Sequence, residues 1–260
     1  MHFKLSTLGE GKKITQVVDI QTNEQNSLTR AALLEFKQLL DQSANDEKIS
    51  SLLITSTNPR FFSNGLDAQN VVDTPDDRLG EEVGEIVHFF GHLLRFDKPV
   101  VAEVTGYAMG GGAVITVASD FKYMLDGKAR ISFSEVLVGL PLPGAFIDKI
   151  AQTIHPPFVN EMCTGETYKA QEAKAIGLID EVAPDAIALR KLALRKVDYL
   201  NRIPLSALRR TKQSINAKTL ARFDETLKHT MESFATTIII KNFRESMKAL
   251  LEKRRPQYLD

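Results

Sequence analysis

The sequence predicts an α/β fold with mostly parallel strand pairing. Short β-rich apolar runs alternate with helical patterns through the first half of the chain. Between each run and the next helical stripe lies a polar or glycine-rich stretch, and this order suits strands joined by crossovers. From about Pro143 onward the pattern turns helical, so an α/β half is followed by a helical one.

The elements follow in order. Strands are predicted at Ile14–Ile20, 51–56 and 99–104. Residues 28–42 place Leu33, Leu34, Phe36, Leu39 and Leu40 on one helical stripe that starts just after Asn26-Ser27. Residues 78–96 repeat that stripe with Val83, Ile86, Val87, Phe90, Leu93 and Leu94. The segment 67–77 is polar, closes on Thr74-Pro75-Asp76-Asp77, and reads as a mobile loop. Strands at Phe121–Leu125 and 130–133 flank Asp126-Gly127, which supplies turn chemistry. Helices are then expected at 145–154, 158–164, 169–176, 185–201, 205–216 and 220–253, punctuated by Pro156-Pro157, Pro184 and Pro204. This helical tail is expected to pack on the core or on another subunit. No low-complexity tract or clean sequence repeat interrupts the chain.

Composition narrows the function classes. The 260 residues suffice for one large domain, alone or with a small appendage. Lys+Arg 33 balance Asp+Glu 33, so no global field draws in a nucleic acid. The single cysteine, Cys163, cannot form an internal disulfide and fits a reducing compartment. The first residues, Met1-His2-Phe3-Lys4-Leu5-Ser6, lack the apolar core of a signal peptide, and no apolar run is long enough to span a bilayer. The closing Gln257-Tyr258-Leu259-Asp260 carries no peroxisomal address. A cytoplasmic location follows as the expectation, without membrane or nucleic-acid partners.

Two segments carry chemistry. Ser63-Asn64-Gly65-Leu66-Asp67 and Gly106-Tyr107-Ala108-Met109-Gly110-Gly111-Gly112 can each present a backbone N–H that no side chain crowds. Two such donors converging on one point make an oxyanion hole, which stabilises an enolate or a tetrahedral oxyanion. The apolar run 113–118 reads as a buried helix with the glycines at its N-terminus, where free N–H groups favour an anion. A phosphate loop is a weaker reading, because the Lys-Ser/Thr of a P-loop and the dinucleotide spacing are both absent.

These segments, with Lys98-Pro99-Val100-Val101-Ala102-Glu103-Val104-Thr105 before the glycines and Ser134-Glu135-Val136-Leu137-Val138-Gly139-Leu140-Pro141 after them, resemble the crotonase family, also called the enoyl-CoA hydratase/isomerase family. Thr164-Gly165-Glu166, Ala173-Lys174-Ala175-Ile176-Gly177-Leu178-Ile179-Asp180 and the closing 247–256 agree, in the same order along the chain. The resemblance implies a spiral of ββα units in two nearly perpendicular sheets, a crotonase core over 1–195, and a C-terminal helical oligomerisation region over 196–260 that builds a homotrimer or a dimer of trimers. It implies the amides of Leu66 and Gly111 as the two donors, an acyl-CoA thioester as substrate, and no separate cofactor or metal.

The acid/base group decides the subfunction. The family's two-glutamate hydratases carry one glutamate just after the triple glycine and a second in the later Glu-x-x-x-Gly segment. Here the first position is Val114 and the second is Glu135. Hydration needs groups that hold and activate water while a proton reaches carbon, whereas one carboxylate suffices to take a proton from C2 and return it at C4. The pattern is similar to that of the family's Δ3,Δ2-enoyl-CoA isomerases. A hydratase with altered mechanism, another acyl-CoA hydrolase or decarboxylase, and a non-catalytic CoA-binding protein of the same fold stay open. The resemblance further implies Ala68 and Lys253 as CoA contacts, and an acyl pocket at Val114, Phe89 and Leu140, with Val71, Val72, Phe90 and Phe146 as further candidates for its depth. His88 and His92 have metal-ligand spacing but no third ligand, so they are expected not to bind metal and to line the acyl pocket with Phe89 and Phe90. Cys163 reads as a small core residue. Phe223, Phe234 and Phe243 read as core or interface residues rather than ligand contacts.

Overall fold

The apolar runs become strands, and a second set of very short strands pairs beside them. The computed structural model describes residues 1–11 and 13–259; Asp260, the last residue of the terminus read above, lies outside the described residues. In order, the elements are β1 (Phe3–Leu8), β2 (Ile14–Ile20), α1 (Arg30–Asn45), β3 (Ile49–Thr55), β4 (Phe61–Ser63), α2 (Ala68–Asp73), α3 (Asp76–Arg95), β5 (Val100–Val104), β6 (Tyr107–Met109) and α4 (Gly111–Ala118). There follow β7 (Phe121–Leu125), β8 (Arg130–Ser132), α5 (Gly144–Thr153), α6 (Val159–Cys163), β9 (Tyr168–Lys169), α7 (Ala170–Ala175), β10 (Glu181–Ala183), α8 (Ala186–Asn201), α9 (Leu205–Phe234) and α10 (Thr237–Leu251).

One sheet has the order β1-β2-β3-β5-β7-β10 and the other β4-β6-β8-β9. Pairing is parallel except for β1 with β2 and β8 with β9. Each turn of the chain lays one strand in the first sheet and one in the second, then a helix: β3-β4 with α2 and α3, β5-β6 with α4, and β7-β8 with α5. This is the ββα spiral of the crotonase fold. The repeat is structural and leaves no repeat in the sequence, because each turn needs only an apolar strand and a packed helix. It has one consequence for function. The C-terminal ends of β4, β6 and β8, neighbours in one parallel sheet, release Asn64-Gly65-Leu66, Gly110-Gly111 and Phe133-Ser134-Glu135 side by side. Open parallel sheets bind ligands at such ends.

The main core lies between the sheets and α1, α3, α4 and α5, and runs on into Phe223, Phe234, Phe243 and Met247 of the last two helices. Buried polar side chains fasten those helices. Lys212 Nζ donates to the Lys98 carbonyl at 2.9 Å and to Asp120 at 2.8 Å. Asn216 accepts from Lys149 Nζ at 2.9 Å and donates to the Leu94 carbonyl at 3.1 Å. Burial pushes the Lys149 ammonium down to about 8, with Lys122 adding repulsion. Paired in this way, buried charges hold a helix in one register.

Several expectations are corrected. The 67–77 segment, expected to be a loop throughout, contains α2, a helix capped at both ends. The break expected at 217–219 occurs instead at Ala235-Thr236, because α9 buries Lys212, Asn216, Thr219 and Phe223 along one face and the polar members of that stripe hide its period. β1 exposes most of its residues, and β4, β6, β9 and β10 are too short to show alternation. The second half is therefore not wholly helical. The division between 195 and 196 falls inside α8.

The spiral brings strand ends together only where side chains are absent. A Cβ on Gly112 would lie 2.4 Å from the Ser63 carbonyl oxygen, backbone against backbone. Gly112→Ala is expected to lower stability by about 1–3 kcal/mol in urea melts, as overpacking does; an unchanged midpoint would contradict this close approach.

Candidate active site

The first strand end is held by main-chain bonds. Leu28 N donates to the Gly65 carbonyl at 2.7 Å, and Asp67 N to the Leu28 carbonyl at 3.1 Å. This parallel bridge pairs Leu28 with Leu66 and uses the groups on either side of the Leu66 amide. The Leu66 N–H itself donates to no backbone carbonyl among the described residues. At the second strand end, Gly110 N donates to the Ser132 carbonyl at 2.9 Å, and the chain turns into α4 with Gly110 at φ 47° and ψ −112°. That conformation is one that glycine adopts without strain. Gly111 is then the first residue of α4, where no preceding carbonyl is available to its N–H. A Cβ on Gly65 would lie 3.1 Å from the Gly111 nitrogen. The two segments therefore touch through bare backbone, with the unspent Leu66 and Gly111 amides in one cavity lining.

Glu135 leaves the third strand end and opens a 3₁₀ turn at Val136–Val138. Its carbonyl accepts from Val138 N at 3.1 Å and Leu140 N at 2.9 Å, which fixes the backbone. Carboxylate Oε1 lies 3.7 Å from the position a Cβ would take on Gly110, so the side chain faces the glycine wall. Oε2 is buried with no hydrogen-bond partner. Loss of water pushes this carboxyl up to about 7, against a smaller pull from its own backbone N–H.

The cavity holds about 270 Å³ and is lined by Leu66, Gly111 and Glu135 together with Val83, Ile86, Met109, Leu140, Phe146, Phe234, Phe243 and Met247. Glu135 is the one titratable side chain in that lining among the described residues. Of the acyl-pocket residues expected above, Leu140 and Phe146 line the cavity. Val114 does not, because it faces the packed interior with 0% exposure. Phe89 does not either, because it turns from the cavity onto Phe36, with ring centroids 4.9 Å apart. Phe90 packs behind Phe146 at 4.4 Å, and Val71 and Val72 also lie outside the lining. Phe234 and Phe243, expected only in the core or an interface, supply part of the wall, as do Met247 and Leu250. Their apolar type could be read from the sequence, but which cavity α9 and α10 face could not.

Ala68 lines the cavity and a shallower neighbouring pocket of about 290 Å³ with Asn23, Asp67 and Leu251. Lys253 lies exposed just past α10 at φ 54° and lines neither. His92 pairs with Asp41 at 2.7 Å and is no part of the cavity, and His88 also lies outside the lining. Among the described residues no three His, Cys, Asp or Glu side chains cluster as a metal site would require. Cys163 is half-buried against the main core. No helix among them is long and apolar enough to cross a membrane.

The profile of the enoyl-CoA hydratase/isomerase family matches residues 11–260. The chain is 27% identical over 236 residues to 2,3-dehydroadipyl-CoA hydratase of Escherichia coli, covering 90% of each chain. It is 25% identical over 246 residues to mitochondrial enoyl-CoA delta isomerase 1 of Mus musculus, covering 94% of this chain and 85% of that one. The crystal structure of human mitochondrial delta3-delta2-enoyl-CoA isomerase superposes with a TM-score of 0.87 at 21% identity, covering 96% of this chain and 97% of that one.

Burial of Glu135 has a stability consequence with a definite sign. Its folded value of about 7 lies above the ordinary 4.5, so folding favours the neutral acid. That stabilisation is complete below pH 4.5 and is lost as pH rises through 7. Glu135→Gln, which carries no charge at any pH, is therefore expected to gain in melting temperature over wild type between pH 5 and pH 8.5. A difference that stays constant across that range would contradict a desolvated carboxylate.

Proposed function

Since the chain belongs to the enoyl-CoA hydratase/isomerase family, and one titratable side chain faces two unspent amides in its cavity, we propose that it is a Δ3,Δ2-enoyl-CoA isomerase. The solitary Glu135 carries this reading. The thioester oxygen of a 3-enoyl-CoA accepts hydrogen bonds from the Leu66 and Gly111 N–H groups. Glu135 as carboxylate takes a proton from C2. The electron pair left at C2 passes through C1 to the thioester oxygen, in conjugation with the C3–C4 double bond, so that negative charge develops on that oxygen, where the two fixed dipoles are worth most. Glu135, now the acid, returns the proton at C4, and the double bond lies between C2 and C3. A carboxyl near 7 suits both halves, because it is basic enough to accept the proton and acidic enough to give it back. The α4 N-terminus adds its dipole at the same oxygen.

The apolar wall of Val83, Ile86, Phe146, Phe234 and Phe243 takes the acyl chain. Ala68, at the junction of cavity and shallower pocket, offers backbone groups to the CoA moiety, and Lys253 offers a cation to its phosphates from the end of α10. The C-terminal region, 196–260, serves assembly into a trimer or a dimer of trimers, for which Ile215, Ile238 and Leu250 are exposed apolar contacts. The unpaired Cys163 suits a cytoplasmic setting.

Hydration is the second reading, favoured by the name of the E. coli relative. It requires a further group to activate water. Apart from Glu135, the cavity offers the neutral side chains of Gln25, Ser27, Asn64 and Ser134, none of them a base near neutral pH.

The test is ultraviolet absorbance of the conjugated thioester. With 3-hexenoyl-CoA the band is expected to grow, and Glu135→Gln to slow it by about 10²–10⁴-fold. The wild-type kcat/KM is expected to rise with pH through about 7 and then level. Loss of the crotonyl-CoA band instead would establish a hydratase, and no change with either thioester would refute the isomerase reading.

A further inference from the structure

The geometry points to Arg244, on α10, as a positioning residue that holds the Leu66 amide in place by capping α2. This inference rests on the reading of Leu66 as a donor to the thioester oxygen.

α2 has six residues and buries one apolar side chain, Val71. Helices this short are not stable by themselves in water, so their ends must be satisfied from outside. At the N-terminus Asp67 serves, with Oδ1 accepting from Asn70 N at 2.8 Å and Oδ2 from Asn23 Nδ2 at 2.9 Å. At the C-terminus the Thr74 N–H and hydroxyl both donate to the Asn70 carbonyl. The carbonyls of Val71, Val72 and Thr74 then meet Arg244. Its Nη1 donates to Val71 at 3.2 Å and Val72 at 2.6 Å, and its Nη2 to the Thr74 carbonyl and the Asp76 carboxylate, each at 2.6 Å. One planar guanidinium thus joins the end of α2 to the start of α3. Lysine cannot reproduce that fork.

The other end of α2 lies at the cavity. Leu66 immediately precedes Asp67, which is at once the cap of α2 and, through its N–H, the bond to the Leu28 carbonyl beside the Leu66 amide. Ala68, the first residue of α2, lines the cavity. Arg244 itself sits between Phe243 and Met247, on a helix from which Phe243, Met247 and Leu250 line the cavity. Tilting α2 therefore pulls through Asp67 on the adjoining Gly65–Leu66 peptide, which carries the donor N–H, and turns it relative to Gly111. Displacement of a reacting group by about an ångström can cost on the order of 10² in rate.

The experiment compares wild type, Arg244→Ala and Arg244→Lys in two ways. With 3-hexenoyl-CoA, Arg244→Ala is expected to lose about 10–100-fold in kcat with KM within about threefold, because an oxyanion donor acts mainly in the transition state. Arg244→Lys is expected to recover part of that loss, and added methylguanidinium to raise kcat of the alanine variant severalfold. Hydrogen exchange, which needs no turnover, is expected to speed up at amides 66–74 in Arg244→Ala and stay unchanged in β3 and β5. A lowered melting temperature with wild-type kcat would overturn the inference, and so would unchanged exchange at 66–74. If wild type leaves 3-hexenoyl-CoA unchanged, the isomerase reading fails by itself. Exchange then decides alone: faster exchange at 66–74 supports the Arg244 cap, and unchanged exchange overturns it.

Discussion

Backbone touches backbone where Gly65 meets Gly111: a Cβ on Gly65 would fall 2.9 Å from the Met109 carbonyl oxygen and 3.1 Å from the Gly111 nitrogen, and one on Gly111 3.3 Å from the Gly65 Cα. That contact sets the spacing of β4 and β6, places the free Leu66 and Gly111 amides on one wall, and leaves the third strand end to deliver a side chain opposite them. Gly112 repeats the demand one residue on, against the Ser63 carbonyl. Amides unspent on secondary structure are costly in a folded interior unless something accepts from them. Here they lie in the lining of an open cavity, where a ligand oxygen or water can accept. The same strand ends that fold the spiral thus leave a fixed positive potential where an anion can form.

Glu135 is the counterpart of that wall. Burying an unpartnered carboxylate opposes stability, and two bonds from Val138 and Leu140 to the backbone carbonyl at 135 hold it in place there. The cavity roof comes from helices distant in sequence. α9 is pegged to the core by Lys212 and Asn216, and α10 is joined to α2 by Arg244. The C-terminal helices therefore build the cavity as well as the exterior.

Much of this was legible in the chain, for physical reasons that also mark the limits. Ile14–Ile20 and Phe121–Leu125 are apolar enough to be read as strands with their observed ends. Glycine at 65 and 110–112 signals close approach in any fold, and Glu135 stands out as a charge among apolar neighbours. The apolar character of Val114 and Phe89 is plain in the sequence, but that both lie outside the cavity lining depends on how α3 and α4 rotate against the core. Phe234 and Phe243 flank the break between α9 and α10, and only tertiary packing brings both to one wall. α2 was hidden because its stability comes from caps, one of them 170 residues away in the chain at Arg244. Three-residue strands such as β4 and β6 have no period to read.

In the proposed isomerisation one shielded carboxylate, Glu135, moves the proton both ways. Deuterium placed at C2 of 3-hexenoyl-CoA, followed through single turnovers in ordinary water, tests this transfer. Because Glu135 Oε2 is buried without a partner, the proton it takes exchanges slowly with solvent. A measurable fraction of product is therefore predicted to carry deuterium at C4. Product whose C4 hydrogen comes wholly from solvent, from the first turnover onward, would contradict transfer by a single shielded carboxylate.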